Sequence, residues 1–217
     1  MVKNQPINAM NLTPESLIEL DLQFFAEVAK NKVKYGLKNA RYAKITETSN
    51  GVTYGSLIPL PGAVSLSISP NGELFEFNAD DIVYYSQEVN NGYDGDFEIA
   101  EIPESFRTDI LGDDLIDGVL YESSTQKGGK FALVFEFDGD TRARRFVLYY
   151  CTATRPTVSS STKTTTIDVQ TSSLTFSARP RPDNYLIKAD SATSSSSYDA
   201  WFTAVHEKPT NEELDED

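Results

Sequence analysis

Apolar positions along the chain change rhythm near residue 31. Leu17, Leu20, Phe24 and Val28, with Ile18, Leu22 and Phe25 beside them, recur at helical spacing up to about Lys30. Thr13, Pro14 and Glu15 supply an N-cap, a proline at the first helical position and an early acid. The pattern predicts one amphipathic helix in an N-terminal extension, residues 1–31. Phe24 and Phe25 on so short a helix require a docking surface, on its own domain or on a neighbouring copy.

From Val33 onward the period falls to two, the mark of a strand with one face covered. Strands are predicted over 41–48, 52–60, 63–69, 73–78, 82–88, 119–123, 130–138, 142–152 and 198–206. Turn chemistry separates several of them: Ser49-Asn50-Gly51, Pro59-Leu60-Pro61-Gly62, Pro70-Asn71-Gly72 and Asp138-Gly139-Asp140. The pieces 73–78 and 82–88 suit a long hairpin or arm. Further on, alternation puts Phe97 and Ile99 on one face and Asp96 and Glu98 on the other. Residues 104–111, after Pro103, read as a helix of one to three turns closed by Gly112-Asp113-Asp114. Ile167 and Val169 stand on odd positions but Leu174 and Phe176 on even ones, so a bulge or bend is expected near 171–173. The stretches 157–166 and 191–197, rich in Ser and Thr, read as loops.

Many short strands, one or two helices and no strand–helix–strand rhythm predict a mainly β fold, a sandwich or barrel over residues 32–206. Val83-Tyr84-Tyr85 and Tyr149-Tyr150 carry apolar side chains on both faces. Such strands are expected where both sides are covered. In a small domain that can mean a second sheet on one side and a second molecule on the other.

Composition supports a real core: 39% of the 217 residues are hydrophobic and 11% aromatic. No apolar run approaches the ~20 residues that span a bilayer, so membrane insertion is not expected. The first residues lack a secretory signal pattern. A lone Cys151 excludes an internal disulfide and fits a reducing cytoplasm, and a lone His206 leaves little for a zinc centre or a His-based triad. There is no G-x-S-x-G elbow and no phosphate loop. Neither catalysis nor a cofactor is expected.

Charge changes the picture more. The net −14 is uneven: between residues 71 and 118 fourteen acids face Arg107 alone, and residues 207–217 form an acidic, solvated tail. Glu88, Asp94, Asp96, Glu98, Glu101 and Glu104 crowd into 85–106 with no base among them. Such a cluster could bind metal, supply a catalytic pair, or form a wall that repels. As an EF-hand loop it puts Ile99 where glycine is needed and Ser105 where the bidentate glutamate belongs, so that motif fails. A glycosidase pair needs one acid set apart by its surroundings, and nothing singles one out. Arg142, Arg144 and Arg145 could contact nucleic acid, decorate a solvated hairpin end, or meet carboxylates of an adjacent subunit, for which forked guanidinium donors are suited.

The runs YGLKNARYAKIT, PLPGAVSLSISP, ADDIVYY, NNGYDGDFEIAEIPESF and LGD, in this order, resemble the major tail protein family of phages with long, flexible tails that infect Gram-positive bacteria. The resemblance spans residues 32–206. It implies a tail-tube β-sandwich or barrel with one flanking α-helix, assembled as hexameric rings stacked into a tube that delivers the genome. Partners would be further copies of the chain and the tape-measure, tail-terminator and distal tail proteins, with DNA passing unbound. The protein would reside in the virion after assembly in the host cytoplasm. Residues 1–30 look like an addition to this family's pattern, and LDLQFFAE within them resembles the start of some capsid proteins of related phages. The immunoglobulin-like domain that some relatives carry after this region is not expected.

On that resemblance some of Glu88, Asp94, Asp96, Glu98, Glu101 and Glu104 would line a negative channel or meet a sister subunit. Arg142, Arg144, Arg145, Tyr84, Tyr85, Phe24 and Phe25 would serve subunit contacts. The competing expectation is a glycan- or surface-binding β-sandwich module, with Tyr85, Tyr93 and Trp201 as its exposed aromatics.

Overall fold

The computed structural model describes residues 36–49, 51–137, 144–158 and 170–209. All of them belong to one compact unit, Asn31–Asp217. The expected N-terminal helix with Phe24 and Phe25, the 138–140 turn, Arg142, Ile167, Val169 and most of the acidic tail lie outside the described residues.

The described chain is mainly β. In order run β1 (Leu37–Thr48), β2 (Gly51–Tyr54), β3 (Ile58–Pro59), β4 (Ala63–Ala79), β5 (Ile82–Ile99), β6 (Asp114–Ile116), β7 (Val119–Tyr121), β8 (Phe131–Phe137), β9 (Arg145–Ala153), β10 (Ser172–Ala178) and β11 (Lys188–Ser191). Nine of these form one antiparallel sheet in the order β2-β1-β8-β9-β10-β5-β4, with β3 also beside β1 and β11 also beside β9. β6 and β7 form a separate hairpin. One helical segment, α1 (Glu104–Phe106), widens into a π-type turn over Arg107–Leu111. Gly112 ends it with φ +81°, a left-handed conformation that glycine adopts at little cost.

Alternation along the strands builds two apolar clusters. Tyr42, Phe97, Phe131, Leu133, Phe135, Leu148 and Phe176 meet Phe106 and Ile110 of the helical segment. Ala43, Ala132, Val134, Val147 and Tyr149 project from the opposite face and are covered by Trp201 and Val205. β8 is therefore buried on both sides, Phe131, Leu133 and Phe135 in one cluster and Ala132 and Val134 in the other. The chain's own C-terminal segment does the covering here. The Leu60 amide donates to the Ala40 carbonyl at 2.8 Å, which brings the approach to β4 back alongside β1.

Three local expectations are corrected. Pro70-Asn71-Gly72 does not turn the chain: β4 runs through it, and the register against β5 shifts between Pro70 and Gly72. The glycine serves a close approach, because a Cβ at Gly72 would lie 2.3 Å from the Val89 carbonyl oxygen. Residues 52–60 are two short strands, β2 along the end of β1 and β3 along its middle. Residues 198–206 form turns, with the Trp201 amide donating to Tyr198 and the Thr203 amide to Ala200. Their buried positions, Trp201 and Val205, are four residues apart, which suits turns and not a pleated strand.

Two ionic locks hold the connections. Asp113, with its side chain fully buried, takes Arg107 at 2.8 Å and Arg155 at 2.7 Å. Burial alone would raise its carboxyl, but hydrogen bonds from Arg155 and then Arg107 hold it below the usual carboxylate range. Arg181, also buried, joins Asp183 and Glu207 at 2.6 Å each, tying the C-terminal segment to the body.

Two outcomes follow for purified protein. Gly95→Ala should destabilise the fold by about 1–3 kcal/mol, read from urea unfolding, because its Cβ would sit 2.5 Å from the Phe176 ring and 2.9 Å from the Ser67 carbonyl oxygen. The Asp113 contribution is present above the unfolded carboxyl value and fades as pH falls through the lower folded value. Stability of the native chain should therefore drop below about pH 4, and Asp113→Asn should flatten that part of the pH profile.

Candidate functional site

The feature that stands out is the uncovered face of β4, β5 and β10. On its inner side Leu66, Phe97 and Leu174 lie in one cross-strand row of the core. One residue along each strand the side chains point the other way, and the outer side consists of three polar rows. Ser65, Glu98 and Ser173 form the first, Ser67, Asp96 and Thr175 the second, and Ser69, Asp94 and Ser177 the third. Thr152 of β9 extends the third row. Each row has a carboxylate at its centre and short hydroxyls at its sides. Rows repeat every second residue, so successive carboxylates lie about 7 Å apart.

Neighbouring side chains donate to each of the three acids. Glu98 accepts hydrogen bonds from Thr171 Oγ1 at 2.6 Å and Ser65 Oγ at 2.9 Å. Thr175 Oγ1 donates to Asp96 at 2.7 Å. Asp94 takes the Asn71 amide and the Arg179 guanidinium, both at 2.6 Å. Donation from Thr171 and Ser65 keeps the Glu98 carboxyl below the usual range, and donation from Asn71 and then Arg179 does the same for Asp94. The face carries no long aliphatic side chain in these rows, and Arg179, the cation beside it, is paired to Asp94.

Of the six candidate acids, some of which were expected to share one surface, this face assembles Asp94, Asp96 and Glu98. Glu88 lies on the distal hairpin opposite Leu74. Glu101 lines a cleft of about 350 Å³ beside Arg107 and Arg155, and Glu104 begins the helical segment. Among the described residues, no group of three or more His, Cys, Asp or Glu side chains is placed to hold a metal ion. No described helix is long and apolar enough to cross a membrane.

Sequence reading missed the hydroxyls. Ser65, Ser67 and Ser69 alternate with Leu66 and Ile68, and Ser173, Thr175 and Ser177 with Leu174 and Phe176. The signal was present, but only the pairing register shows that these residues flank the acids.

The distal halves of β4 and β5 form the expected arm, residues 72–90. Tyr84 is 73% exposed and Tyr85 51% exposed, with Leu74, Phe75, Phe77, Ile82 and Val83 also open to solvent. Arg144 and Arg145 pair inside the chain, Arg144 with Asp190 at 2.7 Å and Arg145 with Glu136 at 3.1 Å. Arg145 also lies over the Tyr198 ring at 3.7 Å. The aromatics expected for a glycan face do not share a surface state. Tyr85 is exposed on the arm, Tyr93 is half-buried beneath Lys188, and Trp201 is buried and stacked on His206. Cys151 is buried, and burial pushes its thiol well above the ordinary value.

No family model matches the chain, and no curated protein matches it. Among solved structures it is similar to the cap of the anti-feeding prophage, a tube-terminating cap determined by cryo-electron microscopy. That likeness has a TM-score of 0.44 and 11% identity, and covers 74% of this chain and 94% of the other.

The hydroxyl donors give this face a measurable signature. Replacing Thr171 and Ser65 by alanine should raise the Glu98 carboxyl toward its ordinary value. A carboxyl-carbon NMR titration of Glu98 in the parent and the variant reads it directly.

Proposed function

We propose that the chain is a structural virion protein, the major subunit of a tail tube, whose hydroxyl and carboxylate face lines a channel for DNA. The observation that carries this reading is the outer face of β4, β5 and β10, three rows of small hydroxyls centred on Asp94, Asp96 and Glu98. A lysine or arginine that neutralises a phosphate releases counterions and holds the duplex, and many in a row would stop it moving. Carboxylates repel the polyanion, most strongly in a narrow bore bounded by protein. Short hydroxyls keep the wall smooth and hydrated. Six copies in a ring would multiply each row sixfold.

Among the described strands β4 ends the sheet order, and pairing that edge with a neighbouring copy would close a ring and cover it. The arm would reach to the next ring. Its exposed apolar residues are of the kind that mark an association surface. Arg144 and Arg145 would serve a subunit contact only by exchanging their present partners. The work done is conduction, without catalysis. Tape-measure, terminator and distal tail proteins would cap and fill the tube in the virion.

A glycan-binding module is the second reading, and exposed Tyr84 and Tyr85 favour it. The two separate cleanly: rings or tubes in electron micrographs of purified protein support the first, and a monomeric sample that retains sugar supports the second. Asp96→Asn combined with Glu98→Gln should leave assembly intact and slow DNA delivery from particles built with the variant. If assembly and DNA passage both match the parent, the assignment of this face is wrong.

A further inference from the structure

Twelve of the fifteen large apolar side chains that stand exposed among the described residues belong to two hairpins, eight to the arm and four to β6 and β7. On the arm, cross-strand pairing sets Phe75 with Gln87 and Phe77 with Tyr85, so three half-exposed rings share one face. On the shorter hairpin Ile116 pairs with Val119 and Asp114 with Tyr121. Alternation then puts Ile116, Val119 and Tyr121 on one face, each about half exposed.

Neither hairpin is finished by the fold. Among the described strands β6 and β7 pair only with each other, and a two-stranded sheet alone is marginal in water. The arm's eight side chains, with roughly 100 Å² open on each, leave about 800 Å² uncovered, close to the ~800 Å² that each partner brings to a stable complex.

Charge then distinguishes the two. Asp80 and Asp81 form the arm tip at φ +52° and +61°, and neither has a partner among the described residues. The arginines do not serve them, since every described one from Arg107 to Arg181 is paired to a carboxylate of its own chain. Lys127 is exposed and has no partner among the described residues. It follows Gln126, whose amide donates to Asp114 at 2.7 Å, at the foot of the β6–β7 hairpin. Asp117 and Gly118 turn that hairpin at its far end. Laying the two hairpins antiparallel therefore brings the arm-tip acids to Lys127 and keeps them away from Asp117. The lengths agree: Phe77 to Asp80 spans about 10 Å and Ile116 to Asp114 about 7 Å.

We infer that the arm of one copy lies antiparallel on the β6–β7 hairpin of another, with Phe75, Phe77 and Tyr85 on Ile116, Val119 and Tyr121, and Asp80 and Asp81 at Lys127. This rests on the reading of the arm as the contact between successive rings. Every copy carries one arm and one receiving hairpin, so a second copy supplies the two surfaces in equal number. Such a contact is heterologous, and each copy both gives and receives, which lets the assembly extend. The apolar part carries the affinity, and the exposed ionic part sets the orientation and weakens as salt rises.

Carbodiimide coupling of the wild-type assembly tests it, using an equal mixture of 15N-labelled and unlabelled protein. The expected product joins Lys127 to Asp80 or Asp81, in peptide pairs that carry one isotope from each copy. Ile116→Ser with Val119→Ser should lower the assembled fraction by about tenfold. Lys127→Glu should lower it by about threefold at low salt, and adding Asp81→Lys should restore it. Tubes whose arm-tip acids couple elsewhere, or only within one copy, overturn the inference and leave the tube reading standing. Protein that stays monomeric at every concentration overturns both.

Discussion

The pleat of β5 is the constraint on which the rest of the structure depends. Phe97 and Ile99 enter the core, so Asp96 and Glu98 must point away from it, and pairing on both sides extends that choice across three strands. A slip of β5 by one residue would drive three carboxylates into an apolar interior and expose Phe97 and Ile99. Each unpaired carboxylate would cost several kcal/mol to bury, and each lost apolar side chain about 2 kcal/mol. Gly95 pins the register further, since the Phe176 ring and the Ser67 carbonyl occupy the space that any side chain there would need. Core packing and the polar face are therefore one decision made once, at the register of β5.

The two sides of the molecule are finished differently. On β8 and β9 both faces are apolar and both are covered within the chain, by the helical segment on one side and by Trp201 and Val205 on the other. The Tyr149 hydroxyl donates to the His206 carbonyl at 2.8 Å and helps fix that cover, while burial pushes the phenol up to about 12. The arm shows the same two-sided apolar content without any cover among the described residues. One pattern thus has two outcomes, self-coverage near the core and availability for association at the far end of the hairpin.

Much of the fold was legible in the sequence because its strongest signals are local. The period of two and the paired aromatics in β1, β8 and β9 correspond to strands that form, and the opposition of Phe97 to Asp96 was readable from alternation alone. What failed depended on partners distant in sequence. Pro70-Asn71-Gly72 has turn chemistry, yet Asn71 bonds Asp94 and Gly72 clears Val89, so the same residues make a bulge inside a longer strand. The apolar content of 198–206 suggested a closing strand, but Trp201 and Val205 meet one face at a spacing of four. For the site, the acids were visible and their selection was not. Asp94, Asp96 and Glu98 are distinguished from Glu88, Glu101 and Glu104 by the serines and threonines across the ladder, which no single segment displays.

The central claim is that this face borders a bore made by several copies. A cryo-electron microscopy map of the assembled particle tests it most directly. The account predicts Asp96 and Glu98 on the inner wall, with the hydroxyl rows of neighbouring copies forming a continuous lining. A map that sets those rows on the outer surface, facing bulk solvent and remote from any sister chain, would contradict it.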